Sequence, residues 1–485
     1  MSTCHIIVLI LKHRLFQADD MVRYLNDFQR ILGIKVRFNT DVRDIQRHTD
    51  TGRFTVKDQH EQTYHCRWVM VATGMWLPNN PRFPGHELVQ TYQDVSTDPH
   101  NFEGHKVLIL GRAHITALNN NLLDTYQLKS LDGLLEASVD GMTLQRRNGK
   151  LWVRFNDTAD MVAASEADSF ALREGYDDVI SCLGFIFDNA SMPAMSRRVP
   201  KYPAIKATYE SQNIPGLYFI GTATHSLDFR RSAGGFIHGF RYTARALHRL
   251  LEWRNHGRRW PARTYHTSQL VNVVVTRINE AAGPYQMFGL LADIILFHNN
   301  NTEFTVVPEF PAALLSRLEA MTGLKAPEGV IVSVLEYGPD FSGPGKDTFR
   351  PDRATGDPLE AHRSNFLHPV FYFYPRLPSE TSMIGSDLLG NGVFLPRPAR
   401  VHHVLEDFLT QWTAPETHVL PLRRFLESCV GADLREFSTE ACFLAELTTQ
   451  QGPLGCHRYR SHQGWGFSRL DATHLQVDHD RSFFD

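Results

Sequence analysis

The sequence predicts an α/β fold with an α+β region at its C-terminal end, and three segments carry that reading. Gly216-Leu-Tyr-Phe-Ile-Gly221-Thr-Ala-Thr-His-Ser-Leu-Asp228, continuing through Gly234, Gly235, Phe236 and His238 to Arg245, reads as a buried strand, a short polar loop, a glycine pair and a helix. The apolar side of that helix is Phe236, Ile237, Phe240, Ala244, Leu247 and Leu251. Its free N-terminal amides and positive dipole end favour an anionic or electron-rich group, and Gly234 and Gly235 let a flat or phosphorylated ligand approach the backbone. The plainer alternative is a crossover whose glycines serve packing alone. Arg67-Trp-Val-Met-Val-Ala72-Thr73-Gly74 is an apolar strand that ends in glycine and leads into a proline-rich stretch to Gly85; Tyr176-Asp-Asp-Val-Ile-Ser-Cys182-Leu-Gly184-Phe185 repeats the design.

Taken in order, His5-Ile-Ile-Val-Leu-Ile-Leu11 is apolar but far short of the roughly twenty residues a membrane span needs. Met21 to Leu32 has the spacing of an amphipathic helix, with Asp19 or Asp20 as its cap. Short strands are expected around Ile34 to Phe38, Val42 to Arg47, Phe54 to Lys57 and Thr63 to Val71, forming an antiparallel flap. Lys106-Val-Leu-Ile-Leu-Gly111 is a further strand ending in glycine. From about Trp260 the pattern changes. Helical spacing marks Thr267 to Phe297 and Pro311 to Thr322, an apolar strand covers Val330 to Tyr337, and a Gly/Pro-rich loop follows to Gly345. Two more helices are expected near Val401 to Trp412 and Leu422 to Cys429. His402 and Glu406 then form an i, i+4 pair, but no third ligand stands at motif spacing, so no metal site is expected.

The order of the first three segments resembles the disulfide-reductase and flavin-monooxygenase superfamily, the flavoproteins with two dinucleotide-binding domains. There an Ala-Thr-Gly strand end marks where the chain leaves the FAD domain, and a second marks its return from an inserted NAD(P)H domain. Longer runs are similar to a family of endoplasmic-reticulum flavoproteins linked to the degradation of misfolded glycoproteins: Asn120 to Glu136, His225 to Arg245, Ser364 to Val370, Val401 to Pro415 and Leu420 to Glu427. The match runs from about Asp20 to near Cys456.

The resemblance implies FAD as cofactor, NADPH as electron donor, residence in the endoplasmic reticulum lumen, and partners in the quality-control and degradation machinery. It places Thr73, Gly74, Gly221, Asp228, Gly235 and Phe236 near the flavin and Val42 against the adenine; the catalytic residues stay unassigned. For Val42 the alternative is a strand valine facing the core. Relatives carry aspartate directly after the strand glycine, where this chain has Thr222, so Asp228 either reaches the ribityl hydroxyls or is a solvated loop charge. His238 either donates to the flavin carbonyl region or is a packed, satisfied histidine.

The implied fold is thus an FAD domain with an inserted NAD(P)H domain, plus an α+β C-terminal domain. The expected division is an atypical terminus over 1–20, partial FAD domain over 21–77, incomplete NAD(P)H domain over 78–200, the rest of the FAD domain over 201–260, an accessory domain over 264–456 and a polar tail over 457–485. The chain departs from the family pattern in several places. No Gly-x-Gly-x-x-Gly loop and no signal peptide stand at its start, and no retention signal at its end. Ala113 occupies the close-approach glycine of the second fingerprint, and Asn119-Asn-Asn121 follows with no room for a crossover helix. The expectation is weak or absent FAD binding and no useful reduction by NADPH. The alternative is a non-catalytic adaptor that keeps the C-terminal domain, folding and binding partners independently of flavin across a linker at Arg254 to Pro261.

Composition limits the remaining classes. Lys and Arg number 50 against 53 Asp and Glu, a net charge of −3 without a basic run, which argues against nucleic acid as a partner. The six cysteines include no C-x-x-C pair; Cys66 and Cys182 lie in apolar strands and read as buried, inert thiols. Asn156, Asn189 and Asn300 head glycosylation sequons.

Overall fold

The structure is a computed structural model that describes residues 18–111, 141–155, 174–338, 351–384 and 395–434, apart from positions 81, 92, 97, 196, 200, 230, 326 and 327. The apolar run at 5–11, Ala113, 119–121, Asn156, most of the loop to Gly345 and the polar tail lie outside the described residues.

The first helix, α1 (Ala18–Ile31), includes Asp19 and Asp20 in its first turn rather than using either as a cap. Its apolar side does not enter a core: Val22, Leu25, Phe28 and Ile31 are all exposed. The expected strand at Ile34 to Phe38 is not formed: among the described residues no strand pairs with it, and Ile34, Val36 and Phe38 face solvent. The antiparallel flap is present as β1 (Val42–Arg47), β2 (Phe54–Asp58) and β3 (Thr63–Cys66) in that order. Asp58 closes the β2–β3 turn by accepting from the amides of His60 (2.9 Å) and Gln62 (3.0 Å) and from the Tyr64 hydroxyl (2.8 Å). The run expected as one strand to Val71 is two. Residues 63–66 pair with β2, whereas β4 (Val69–Val71) turns away to pair in parallel with a strand far along the chain.

After β4 the chain leaves through β5 (Leu77–Pro78) into an inserted unit, and the structure keeps the exit and the return side by side. The unit contains β6 (Gln90–Thr91), β7 (Val107–Gly111), the hairpin β8 (Met142–Arg147) and β9 (Lys150–Phe155), and β10 (Asp178–Cys182). β6, β10 and β7 form a parallel sheet in that order over a core that includes Leu110, Met142, Leu151 and Val179. At Gly111 a Cβ would lie 3.2 Å from the Cys182 carbonyl oxygen, a tight approach between the two strands. Cys66 and Cys182 are half-buried rather than buried, and burial pushes both thiols up, which keeps them unreactive. β11 (Phe185–Ile186) returns antiparallel to β5, and the Asn79 amide donates to Gly184 O at 2.9 Å.

The short pair β12 (Arg197–Val199) and β13 (Tyr202–Pro203) precedes β14 (Leu217–Phe219), the parallel partner of β4. Phe54, Val71, Phe187, Leu217 and Phe219 form the core beneath them. The long helix α2 (Ile237–His256) follows and ends at Gly257, whose φ of 65° is the left-handed stop that glycine supplies. Its buried stripe is Gly239, Tyr242, Thr243, Ala246, Leu247 and Leu250; Phe236 and Ile237, expected on the apolar side, are exposed instead.

The C-terminal region is a six-stranded antiparallel sheet ordered β15 (Arg263–His266), β17 (Glu303–Pro311), β16 (Leu291–His298), β18 (Val330–Glu336), β19 (His368–Tyr374), β20 (Arg400–His403). Two expectations are corrected here. The helix expected over Thr267 to Phe297 stops as α3 (Leu270–Glu280), and after the short α4 (Ala282–Gln286) residues 291–298 form a strand buried along nearly its whole length. Such a continuous apolar run fits a strand covered on both faces as well as a buried helix. The expected helix at Val401 starts instead as the edge strand β20, so His402 and Glu406 never share a helical face. Helix α5 (Leu318–Thr322) and the 3-10 turn before it match the expected segment, and α6 (Glu380–Ile384) and α7 (Leu420–Val430) complete the set.

Each face of this sheet has its own core. One face takes Tyr242, Ala246, Leu247 and Leu250 of α2, and the other takes α3, α7 and Trp412. Trp260 lies in the first core, 2% exposed, with its ring edge on Phe310 and its Nε1 donating to Pro308 O at 3.0 Å. Within the stretch at 254–261 Trp260 is thus anchored in the core, while Arg254, His256, Gly257, Arg258 and Arg259 are exposed.

Candidate functional site

β4 and β14 are parallel neighbours, so their C-terminal ends open on the same side, the place where open α/β sheets receive ligands. The Ile220 amide donates to Val71 O at 3.0 Å, which sets the residues after Ile220 beside those after Val71. Gly74 and Gly221 have φ of 70° and 73°, conformations that favour glycine, and a Cβ at either would meet nothing within 4 Å. The backbone on this side is thus bare and open. Thr73 is exposed beside Gly74.

What expectation described as a polar loop is a 3-10 turn, Gly221–Ser226, buried from Ala223 onward. Asp228 is 2% exposed and sits at its centre. Its carboxylate meets His225 Nδ1 at 3.0 Å, accepts from the Gly234 amide at 3.0 Å and from the Ser232 hydroxyl, while its carbonyl accepts from the Arg231 amide at 2.8 Å. Asp228 is accordingly not a solvated loop charge, and both of its oxygens are spent on the loop itself. Hydrogen bonds to an ionised acceptor are the strong kind, so this residue holds the loop in one shape. Gly234 serves the same purpose, since a Cβ there would run into the Asp228 carboxylate. His225 is enclosed by the rings of Tyr202 and Phe229, at centroid distances of 5.7 and 5.9 Å. Burial first, and then the Asp228 charge, push the Tyr202 phenol up.

This interior bracing presents the start of α2. Phe236 is its N-cap and offers no side-chain acceptor, so the first amides, at Ile237 and His238, carry no side-chain cap. Phe236, Ile237 and His238 are exposed, and the rings of Phe236 and His238 stack at 5.5 Å with 9° between their planes. His238 is thus not the packed histidine of the alternative reading. Gly235 lies half-buried against the His225 ring. Of the residues expected at a cofactor, Thr73, Gly74, Gly221, Gly235, Phe236 and His238 belong to this strand-end and helix-start arrangement, with Asp228 behind it. Val42 does not: it opens β1 in the separate flap and is exposed rather than facing a core. Tyr202, His225 and Ser232 were not singled out from sequence; the spacing of His225 to Asp228, one 3-10 turn apart, is the signal that was available.

A buried charge network fastens this helix to the C-terminal sheet. Arg245 and Arg249 of α2 reach Glu309, the latter at 3.6 Å; the Glu309 amide donates to Asp293 at 2.9 Å; Arg277 grips both oxygens of Asp293 at 2.6 and 2.9 Å. Burial pulls the Arg249 guanidinium down to about 10 against the attraction of Glu309. Burial also opposes the charge on Arg277, but the Asp293 carboxylate more than offsets it and leaves its pKa raised. Glu309 has a φ of 53° at the irregular register opposite Asp293, which turns its side chain toward α2 while Asp293 serves α3.

Residues 6–114 match the family described as pyridine nucleotide-disulphide oxidoreductase. Among solved structures, a flavin monooxygenase from Stenotrophomonas maltophilia is 16% identical, with 49% of this chain and 77% of that one covered at a TM-score of 0.36. Bacillithiol disulfide reductase Bdr from Staphylococcus aureus is 17% identical over 44% of this chain and 69% of its own, at a TM-score of 0.30. The relatives in sequence are much nearer. FAD-dependent oxidoreductase domain-containing protein 2 of Mus musculus is 44% identical over 91% of this chain and 74% of its own length, and the protein of that name from Danio rerio is 38% identical over 92% and 75%. With identity at this level along nearly its whole length, the chain belongs to the family of FAD-dependent oxidoreductase domain-containing protein 2.

Proposed function

We propose that this chain is an FAD-dependent oxidoreductase of the endoplasmic reticulum lumen, drawing electrons from NADPH and serving the disposal of misfolded glycoproteins. The observation that carries the flavin assignment is the uncapped start of α2, a helix that packs against the turn following β14 and is braced by the buried Asp228 loop. These residues fit the pyrimidine edge of a flavin: the amides at Ile237 and His238 and the helix dipole favour negative charge, Gly74 and Gly221 admit a flat ring, and Phe236 shields one side. FAD, when bound, accepts hydride and passes electrons to an acceptor. The family likeness alone supports NADPH and the lumenal role.

The test is titration of purified chain with FAD, following flavin fluorescence and the two visible bands after gel filtration. Saturable binding is expected. No binding at millimolar FAD would sink the enzyme reading and leave the adaptor reading.

A further inference from the structure

The far half of α2 borders a second concavity. Leu250 to Arg254 lie about 20 Å along the helix from its ligand-facing start, at 1.5 Å per residue. Together with Ala313, Leu314 and Met383 on one side and Lys206 to Glu210 on the other, they enclose a cleft of about 770 Å³ between the FAD fold and the C-terminal region. That is the size of an ordinary small-molecule site. Its inner surface is apolar, formed by Ala207, Leu250, Leu251, Ala313, Leu314 and Met383.

Charge is confined to the edges and is unequal. Glu210 lies inside, accepting from the Gly216 amide at 2.8 Å and pairing with Lys206 at 3.1 Å and Arg254 at 3.5 Å. Burial acts to raise the Glu210 carboxyl, but the amide and the two cations outweigh it and hold the carboxyl below its usual value, so it stays ionised. Two cations therefore share one carboxylate. Their side chains reach solvent at 44% and 51% exposure, against 10% for Glu210. Arg317 and Glu380 on the opposite rim pair with each other at 3.1 Å and cancel. The mouth is left with one surplus positive charge above an apolar interior.

We propose that this cleft binds a monoanionic amphiphile of the fatty-carboxylate type, with its chain along Leu250, Leu251 and Leu314 and its carboxylate between Lys206 and Arg254. The site is separate from the flavin-facing one and stands whether or not FAD binds. Dodecanoate, and 1-dodecanol as its uncharged counterpart, are titrated calorimetrically into the full chain below their aggregation limits. One dodecanoate should bind saturably, at least tenfold more tightly than dodecanol. Arg254→Gln should weaken dodecanoate tenfold or more and leave dodecanol unchanged. Leu251→Trp and, from the opposite wall, Ala313→Phe fill the cleft and should weaken both ligands more than tenfold; either variant suffices if the other misfolds. Uptake without saturation, equal affinity for the two probes, or wild-type binding by a folded filled-cleft variant would overturn the proposal.

Discussion

α1 and α2 are both amphipathic, but only one of them meets what its apolar side requires. In α2 the stripe from Tyr242 to Leu250 closes one face of a six-stranded sheet, and Arg245 and Arg249 add a buried ionic contact to Glu309. In α1 the residues Val22, Leu25, Phe28 and Ile31 face solvent beside an unpaired extended stretch. In α1 the periodic apolar pattern gives a helix without giving it a partner among the described residues. α2 packs against both the turns at 221–235 and the C-terminal sheet.

The largest test of that contrast is to cut it. A fragment of residues 264–456 lacks both α2 and Trp260, and should aggregate or melt without a cooperative transition, whereas a fragment of 201–456 should melt cooperatively in calorimetry. Cooperative melting of the shorter piece would show that the sheet does not need α2. Leu247→Ala, in the joint, should cost about 3 kcal/mol in chemical denaturation, the usual range for a fully buried leucine.

Glu336 tests the same core through pH. Burial raises its carboxyl to about 7 from 4.5, despite the Tyr372 hydroxyl that donates to it at 2.7 Å. A raised folded value means that the fold prefers the protonated form. Its contribution is therefore complete below about pH 4.5, declines between 4.5 and 7, and is flat above, for a total of about 3 kcal/mol. Glu336→Gln should remove this decline from stability measured across that window. It should also unmask an opposite slope from His402 and His403, which burial lowers to about 4 and about 3; their contribution is complete above pH 6.5 and is lost as pH falls.

Asp228→Asn should cost about 2 kcal/mol, since it removes the charge from three donor contacts while leaving the shape, and should weaken FAD binding by loosening the loop. The smallest effect belongs to α1. Leu25→Ala should change stability by less than about 0.5 kcal/mol, because the side chain is already 56% exposed. A loss of 2 kcal/mol or more there would show that the α1 face is covered in solution.

The sequence was most legible where local signals and burial agree. The flap strands at Val42, Phe54 and Thr63, the strands leading to Gly111 and Cys182, the strand at Val330 and the helix at Leu422 all follow from periodicity and strand-end glycines. It misled where tertiary pairing decides. Residues 291–298 are apolar apart from Asp293 and His298, a composition that suits a buried helix as well as a strand, and pairing with β17 and β18 makes them a strand. His402 begins no helix because β20 pairs with β19, setting His402 opposite Phe371 and stacking its ring on Phe425 at 5.3 Å. In the site, the helix start and the open glycines were readable, but the inward turn of Asp228 was not. Nothing in its spacing says that Ser232 and Gly234 fold back to meet it.

The paired crossings β5 and β11 carry a mechanical consequence. The inserted unit is attached to the rest of the chain by two strands that are hydrogen-bonded to each other, with Asn79 tied to Gly184 through its amide and to Leu183 through its side chain. Two attachments set apart would resist rotation like a pair of struts. Two attachments laced together form one narrow strap, so neither crossing can shift without carrying the other with it.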